Sequence, residues 1–164
     1  MPSKAPALID WLVNAFSNAP ALGGPVVGGT QTGPVTVFDG PRVTDLDPFL
    51  KLFVGLTDPD NEGIDPAATI TQQRDDLGRL TRTEQTDIHC CAEAWSGDTD
   101  IQPVRLAAAG ILAAAEAIIR SDTTQFGGNG QATPGLAAGD LLQNNTTNGA
   151  IARWPFTISF TSFT

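Results

Sequence analysis

Residues 82–95 read RTEQTDIHCCAEAW, and they alternate along their whole length. Thr86, Ile88, Cys90, Ala92 and Ala94 fall on one side of a period-two pattern, and Asp87, His89, Cys91, Glu93 and Trp95 fall on the other. Successive side chains of a strand point to opposite faces, so this stretch predicts one long strand that ends at Gly97-Asp98. Pro103 suits the first turn of a following helix, where its missing N–H costs nothing. Val104 to Arg120 is then the strongest helical pattern of the chain. Val104, Ala108, Ile111, Ala115 and Ile118 make one apolar face, Glu116 can meet Arg120 one turn on, and the alanines let a neighbouring layer approach closely.

Upstream, Leu8, Leu12 and Phe16 recur at helical spacing over Ala5 to Phe16, and Pro20, Gly23, Gly24 and Pro25 end that helix. Val35 and Val37 alternate into a short strand broken by Asp39-Gly40-Pro41. Phe49 to Leu56 is apolar on both faces apart from Lys51, as a strand covered on both sides would be, and Thr69 to Arg74 reads as a further strand. Downstream, residues 121–149 shift to Gly, Asn, Thr and Gln, and predict loops with a helical turn around Leu136 to Leu142. The chain closes with Trp154, Phe156, Ile158 and Phe160 alternating with polar residues. Pro155 inside that pattern argues for an edge strand or a bulge. The expected fold is one α+β domain over residues 1–164, a mostly antiparallel sheet packed by an N-terminal helix and a longer Ala-rich helix.

The chain has 164 residues and a formal charge of −9, with nine basic side chains against eighteen acidic ones. That balance argues against non-specific binding to nucleic acid or anionic lipid, which rests on Lys and Arg neutralising phosphates. No apolar run is expected to reach the roughly 20 residues of a membrane helix. The apolar stretch from Ala5 to Phe16 is interrupted by Asp10 and Asn14, so no secretory signal is expected, and Cys90 and Cys91 are adjacent and so unsuited to pair with each other; the expected compartment is a reducing cytosol, or a particle assembled in one.

Several patterns invite a chemical reading. Residues 58–63, DPDNEG, open like a calcium loop, but the twelfth position is Thr69 rather than Glu and Pro59 disturbs the turn, so an acidic loop is expected. His89 and Cys91 share a strand face while Cys90 points away, so at most two ligands could meet there. His89 and Cys91 are also about 7 Å apart along a strand, too far for direct proton transfer. Residues 127–130, GGNG, have neither the phosphate-loop nor the dinucleotide-loop spacing. Asp39, Asp45, Asp47, Asp58 and Asp60 read as solvated loop acids. Arg42, Arg74, Arg79, Arg82 and Arg153 are the cations available to be gathered on one face by the fold. The expectation is no catalytic, cofactor-binding or metal-binding residue and no cofactor.

The order of segments resembles the tail terminator (tail completion) proteins of long-tailed siphophages, above all those infecting actinobacteria. The resemblance rests on the helix ending at Ala19-Pro20, the strand into residues 37–41 (VFDGP), and the strand ending at Val54-Gly55. It continues through Glu84 to Trp95 with Gly97-Asp98, the Ala-rich helix with Arg105 and Glu116, and the closing strand from Arg153 to Phe160. It implies a fold like that of the lambda tail terminator and a non-enzymatic virion protein of the tail–neck region, assembled in the host cytoplasm. Such a protein forms a homohexameric ring on the tail tube protein, stops tube growth and offers a surface to the stopper or head-completion proteins, while genome DNA passes through its lumen. The alternatives are another neck or tail component, such as a head–tail stopper or tube protein, and a small enzyme or ligand-binding module.

Overall fold

The computed structural model describes residues 2–42, 47–60, 65–74, 82–129 and 131–163, and for 131–138 the backbone alone. The elements are α1 (Ala5–Asn18), β1 (Val26–Val27), β2 (Thr30–Gln31), β3 (Thr36–Asp39), β4 (Leu50–Val54), β5 (Ala68–Arg74), β6 (Arg82–Ser96), α2 (Ile101–Ser121), α3 (Gln125–Gly128), β7 (Gln131–Ala138), β8 (Leu142–Thr146) and β9 (Gly149–Phe163). β1 and β2 form a small hairpin, and the other strands form one seven-stranded sheet.

The two fifteen-residue strands β6 and β9 pair antiparallel from Thr83↔Phe163 to Ser96↔Ala150 and make the spine. Each long strand has two shorter ones end to end on its outer side. On β6, β5 takes 82–88 and β4 takes 90–94; on β9, β8 takes 149–153 and β7 takes 156–161. Only β3 on β4 is parallel. The α+β class, the mostly antiparallel sheet and both helices agree with the alternation and helical spacing of the sequence.

Both long helices lie on one face of the sheet. Leu8, Leu12 and Phe16 of α1 and Ile111 and Ala115 of α2 bury themselves against Leu52, Val54, Ile88, Cys90, Phe156, Ile158 and Phe160. At the other end of α2, Val104 and Ala108 sit on Ala94, Ala150 and Ala152, so small residues on both sides bring the helix close to the strands. Asp100 caps α2 by accepting from the Gln102 N–H at 3.1 Å. α1 has no side-chain cap of its own; the buried Glu84 of β6 accepts instead from the Lys4 N–H and the Ser3 hydroxyl, each at 2.8 Å.

Three expectations need correction. Residues 121–149 are not loop with a helical turn near Leu136. They hold α3, β7 and β8, because pairing with β9 satisfies their backbone, while the edge position leaves all five β8 residues exposed and four of them, all but Leu142, polar. β9 is not an edge strand. The Pro155 carbonyl accepts from the Gly139 N–H at 2.7 Å, so the missing proline N–H falls on that same side, in the gap between β8 and β7. Finally, α2 is long and apolar enough to span a membrane by length and composition, because the count of apolar runs underweighted its alanines; here its Val104, Ala108, Ile111 and Ala115 are buried on the sheet.

Gly149 shows how tightly the β8–β9 turn meets the end of β6. Its φ is +125°, and a Cβ there would sit 1.9 Å from the Ser96 carbonyl oxygen.

Candidate functional site

Among the described residues no helix covers the second face of the sheet, and two different surfaces share it. Towards the ends of β5, β6 and β9 that lie beside each other, the outward residues are Thr69, Thr71, Gln73, Thr83, Gln85, Asp87, His89, Thr157, Ser159 and Thr161. They are half-buried or exposed, and Asp87 is the one carboxylate among them. His89 lies on this polar surface, with Nε2 3.1 Å from the Thr69 hydroxyl and Nδ1 3.4 Å from that of Thr157. Arg74 and Arg82 pair with each other across β5 and β6. By strand alternation they share the helix side with Gln72 and Glu84, so they do not add charge to this face.

The other half of the face is charged and partly roofed by loops. Lys51 of β4 and Glu93 of β6 are cross-strand partners, as are Glu93 and Arg153 of β9, which puts the three side chains in one row. The Lys51 ammonium and the Arg153 Nε each lie 2.5 Å from a different oxygen of Glu93. Three exposed loop acids complete the row. Asp47 meets Lys51 at 2.5 Å and Arg42 at 2.7 Å, and Asp60 meets the Arg153 Nη1 at 2.5 Å with Asp58 at 3.7 Å.

The shifts follow the geometry. The bond from Arg153 holds the Asp60 carboxyl below its usual range against the pull of partial burial. Burial would raise Asp47, but the bond and charge of Lys51, with Arg42 behind them, leave it lowered. Burial would lower Arg153; its bonds to Asp60 and Glu93 outweigh that and push it up.

This row lines a cleft of about 550 Å³ whose apolar wall includes Phe53, Pro59, Trp95 and Ile151. Phe53 stacks on Phe38 with ring centres 5.1 Å apart, and Trp95 rests against Phe49 while its indole N–H donates to the Pro48 carbonyl at 3.0 Å. Cys91 lies beneath, in contact with Phe53 and Leu56, whereas Cys90 lies in the helix-side core. Burial pushes both thiols up to about 12, with Glu93 adding to the effect at Cys91. Neither thiol is poised as a nucleophile.

The loop acids of the sequence therefore divide. Asp47, Asp58 and Asp60 stay half or more exposed, as solvated loop acids do, and also pair with the cations, while Asp39 is exposed at the end of β3. Asp45, Arg79 and residues 61–63 of the DPDNEG stretch lie outside the described residues, and the twelfth position of that stretch, Thr69, is committed to β5 and His89. Arg42 and Arg153 share the cleft and Arg74 and Arg82 do not, so the cations gather only in part. Among the described residues, no three His, Cys, Asp or Glu side chains are grouped as metal ligands would be.

Sequence reading missed the charged row because its members lie 42 and 60 residues apart. The signal was Lys51 inside an otherwise apolar strand, since a buried cation requires a buried partner. Phe126 was missed in the same way: the single aromatic of residues 121–149, it anchors α3 by packing edge-on against Trp11 and Phe160.

No protein-family model matches the chain, and no curated protein is significantly similar to it.

Proposed function

We propose that this chain is a structural, self-assembling protein of the siphophage tail terminator type: a ring-forming subunit that caps the tail tube, stops its growth and faces the neck. The observation that carries the reading is the contrast between two sheet edges. The outer edge of β3 is closed, because the Gln31 side-chain amide donates to the Val37 carbonyl at 3.2 Å and accepts from the Val37 N–H at 2.9 Å. The outer edge of β5, seven residues with six of them exposed, has no such cap among the described residues. A long bare edge is a template for another strand, and monomeric proteins ordinarily blunt it. Here it borders the Thr, Ser and Gln face, on which Asp87 is the one carboxylate and no Lys or Arg stands, the chemistry of a wall that duplex DNA passes without being gripped.

Electron microscopy and native mass spectrometry of the purified protein, free and with tail tubes, test the reading. Rings that cap tubes support it; rings that extend tubes favour a tube protein, and a strict monomer in both settings sinks it. The charged cleft between β4, β6 and β9 supports a second reading, a ligand-binding module.

A further inference from the structure

We infer that the outer face of α2 is the seam through which two copies of this chain pair, with the helices antiparallel about a dyad level with Gly110 and Ile111. The inference does not rest on the ring reading, because a two-fold contact of one surface with itself closes a pair and leaves the sheet edges free.

α2 buries Val104, Ala108, Ile111 and Ala115 against the sheet. On the opposite side of the helix, Leu106, Ala109, Gly110, Ala113 and Ala117 recur at three- and four-residue spacing and are exposed or half-buried. Leu106 is 63% exposed. Only 22% of the most apolar stretch of α2 is buried, so most of its apolar length is left facing solvent. Small side chains let a second helix come close, and nothing lies within 4 Å of a Cβ added at Gly110.

The charges beside this face name the occupant. Arg105 and Glu116 lie on the same flank of it, about three turns apart. Arg105 is exposed and has no ion-pair partner among the described residues, whereas Glu116 pairs with Arg120 on its outer side. A second copy lying parallel would set arginine on arginine and glutamate on glutamate. An antiparallel copy sets Arg105 of each chain on Glu116 of the other, twice over, and the midpoint of the two sites is the level of Gly110 and Ile111. In that register Leu106 of one helix falls between Ala113 and Ala117 of the other, a hole that two small side chains leave for a large one. A lipid surface offers no such reciprocal pairing, and a chain of charge −9 is repelled by an anionic one.

Native mass spectrometry and sedimentation of the full chain over a dilution series test the seam. The parent should form pairs, or assemblies with an even number of copies. Arg105→Glu alone, or Glu116→Arg alone, sets like charges together and should weaken pairing by roughly tenfold or more. The two substitutions in one chain restore opposite charges and should return the affinity to within about threefold of the parent, which separates a lost contact from a lost fold. Gly110→Cys, level with the dyad, should cross-link to its counterpart through a short bis-maleimide, since Cys90 and Cys91 are buried, and Leu106→Glu should abolish that cross-link. A monomer at every concentration, or charge-reversed variants that associate like the parent, would overturn the inference. So would a chain that stays single and partitions onto phosphatidylcholine vesicles, which would make the face a lipid contact. Failure to cap tail tubes with the charge-swap pattern intact would count against the ring reading alone.

Discussion

Cys90 and Cys91 are neighbours in the chain and both fully buried, yet they belong to two environments held together by different physics. Cys90 faces the helices, among Leu52, Ile88, Ile111 and Phe160, where stability comes from apolar area removed from water. Cys91 faces the other way, over Phe53 and beneath the row of Lys51, Glu93 and Arg153, where a thin apolar layer is sealed by ion pairs and loops. The helix side should therefore respond little to salt, while the open side couples its order to it. A protein that must keep a rigid body while its surfaces meet partners gains from that division.

The helix side should be the more costly to damage. Ile111 is 3% exposed in the main core, so Ile111→Asp places an unpaired charge against the sheet and should cost several kcal/mol, enough to unfold a domain of ordinary stability. Soluble protein with an unchanged melting temperature would show that α2 does not hold the sheet. On the open side, Glu93→Gln leaves Lys51 and Arg153 as neighbouring cations without their shared carboxylate. About 3 kcal/mol is expected, the lower end for breaking a buried ion pair, because Asp47 and Asp60 remain. Urea unfolding measures it, and a loss as large as that of Ile111→Asp would erase the contrast between the faces.

How much of this was legible follows the same division. Period two in 82–95 and the 3.6-residue spacing of 104–120 gave the spine and the helix face, because both report apolar side chains against a core. Strands β7 (QATPGLAA) and β8 (LQNNT) have no such signature. Their pairing is a backbone matter, hinted at by Asn148-Gly149 alone, a turn dipeptide before β9. Pro155 misled for a related reason: one missing N–H excludes a central strand only if that N–H points at a partner, and here it points into the gap between two shorter strands. The cleft was illegible beyond Lys51, since charge pairing between β4, β6 and β9 depends on a register that no local pattern encodes.

Thiol labelling sharpens the comparison at intermediate cost. With both thiols raised to about 12 and buried, neither should react in native protein at neutral pH. In subdenaturing urea, Cys91 in a Cys90→Ala background should label faster than Cys90 in a Cys91→Ala background, because loops and ion pairs open at lower free energy than a helix-packed core. Added salt should widen the difference by screening the pairs at Asp47 and Asp60. Equal rates at every urea and salt concentration would mean that the two faces open together.

The smallest effect expected is that of pH, and it separates two kinds of carboxylate. Asp60 is lowered by Arg153. Glu84 is lowered because bonds from Gln72, Ser3 and the Lys4 N–H outweigh the upward pull of its burial. A carboxyl that is lowered in the folded chain binds fewer protons there than when unfolded, so its contribution is complete above the unfolded value and is lost as pH falls through the folded one. For Asp60 the loss begins near 3.8 and for Glu84 near 4.5, and both continue below. Asp60 is largely exposed, so its share should be on the order of a surface pair, about 0.2–1 kcal/mol. Glu84 of β6 joins the start of α1 and β5 through part-buried bonds, so Glu84→Gln should cost more, about 1–3 kcal/mol, by removing an acceptor from those donors. Urea unfolding between pH 6 and pH 3 decides between them. Asp60→Asn should flatten the curve slightly and be offset by salt, while Glu84→Gln should lower stability at pH 6 with little response to salt. The reverse pattern would place the electrostatic control of this fold under the helices rather than on its open face.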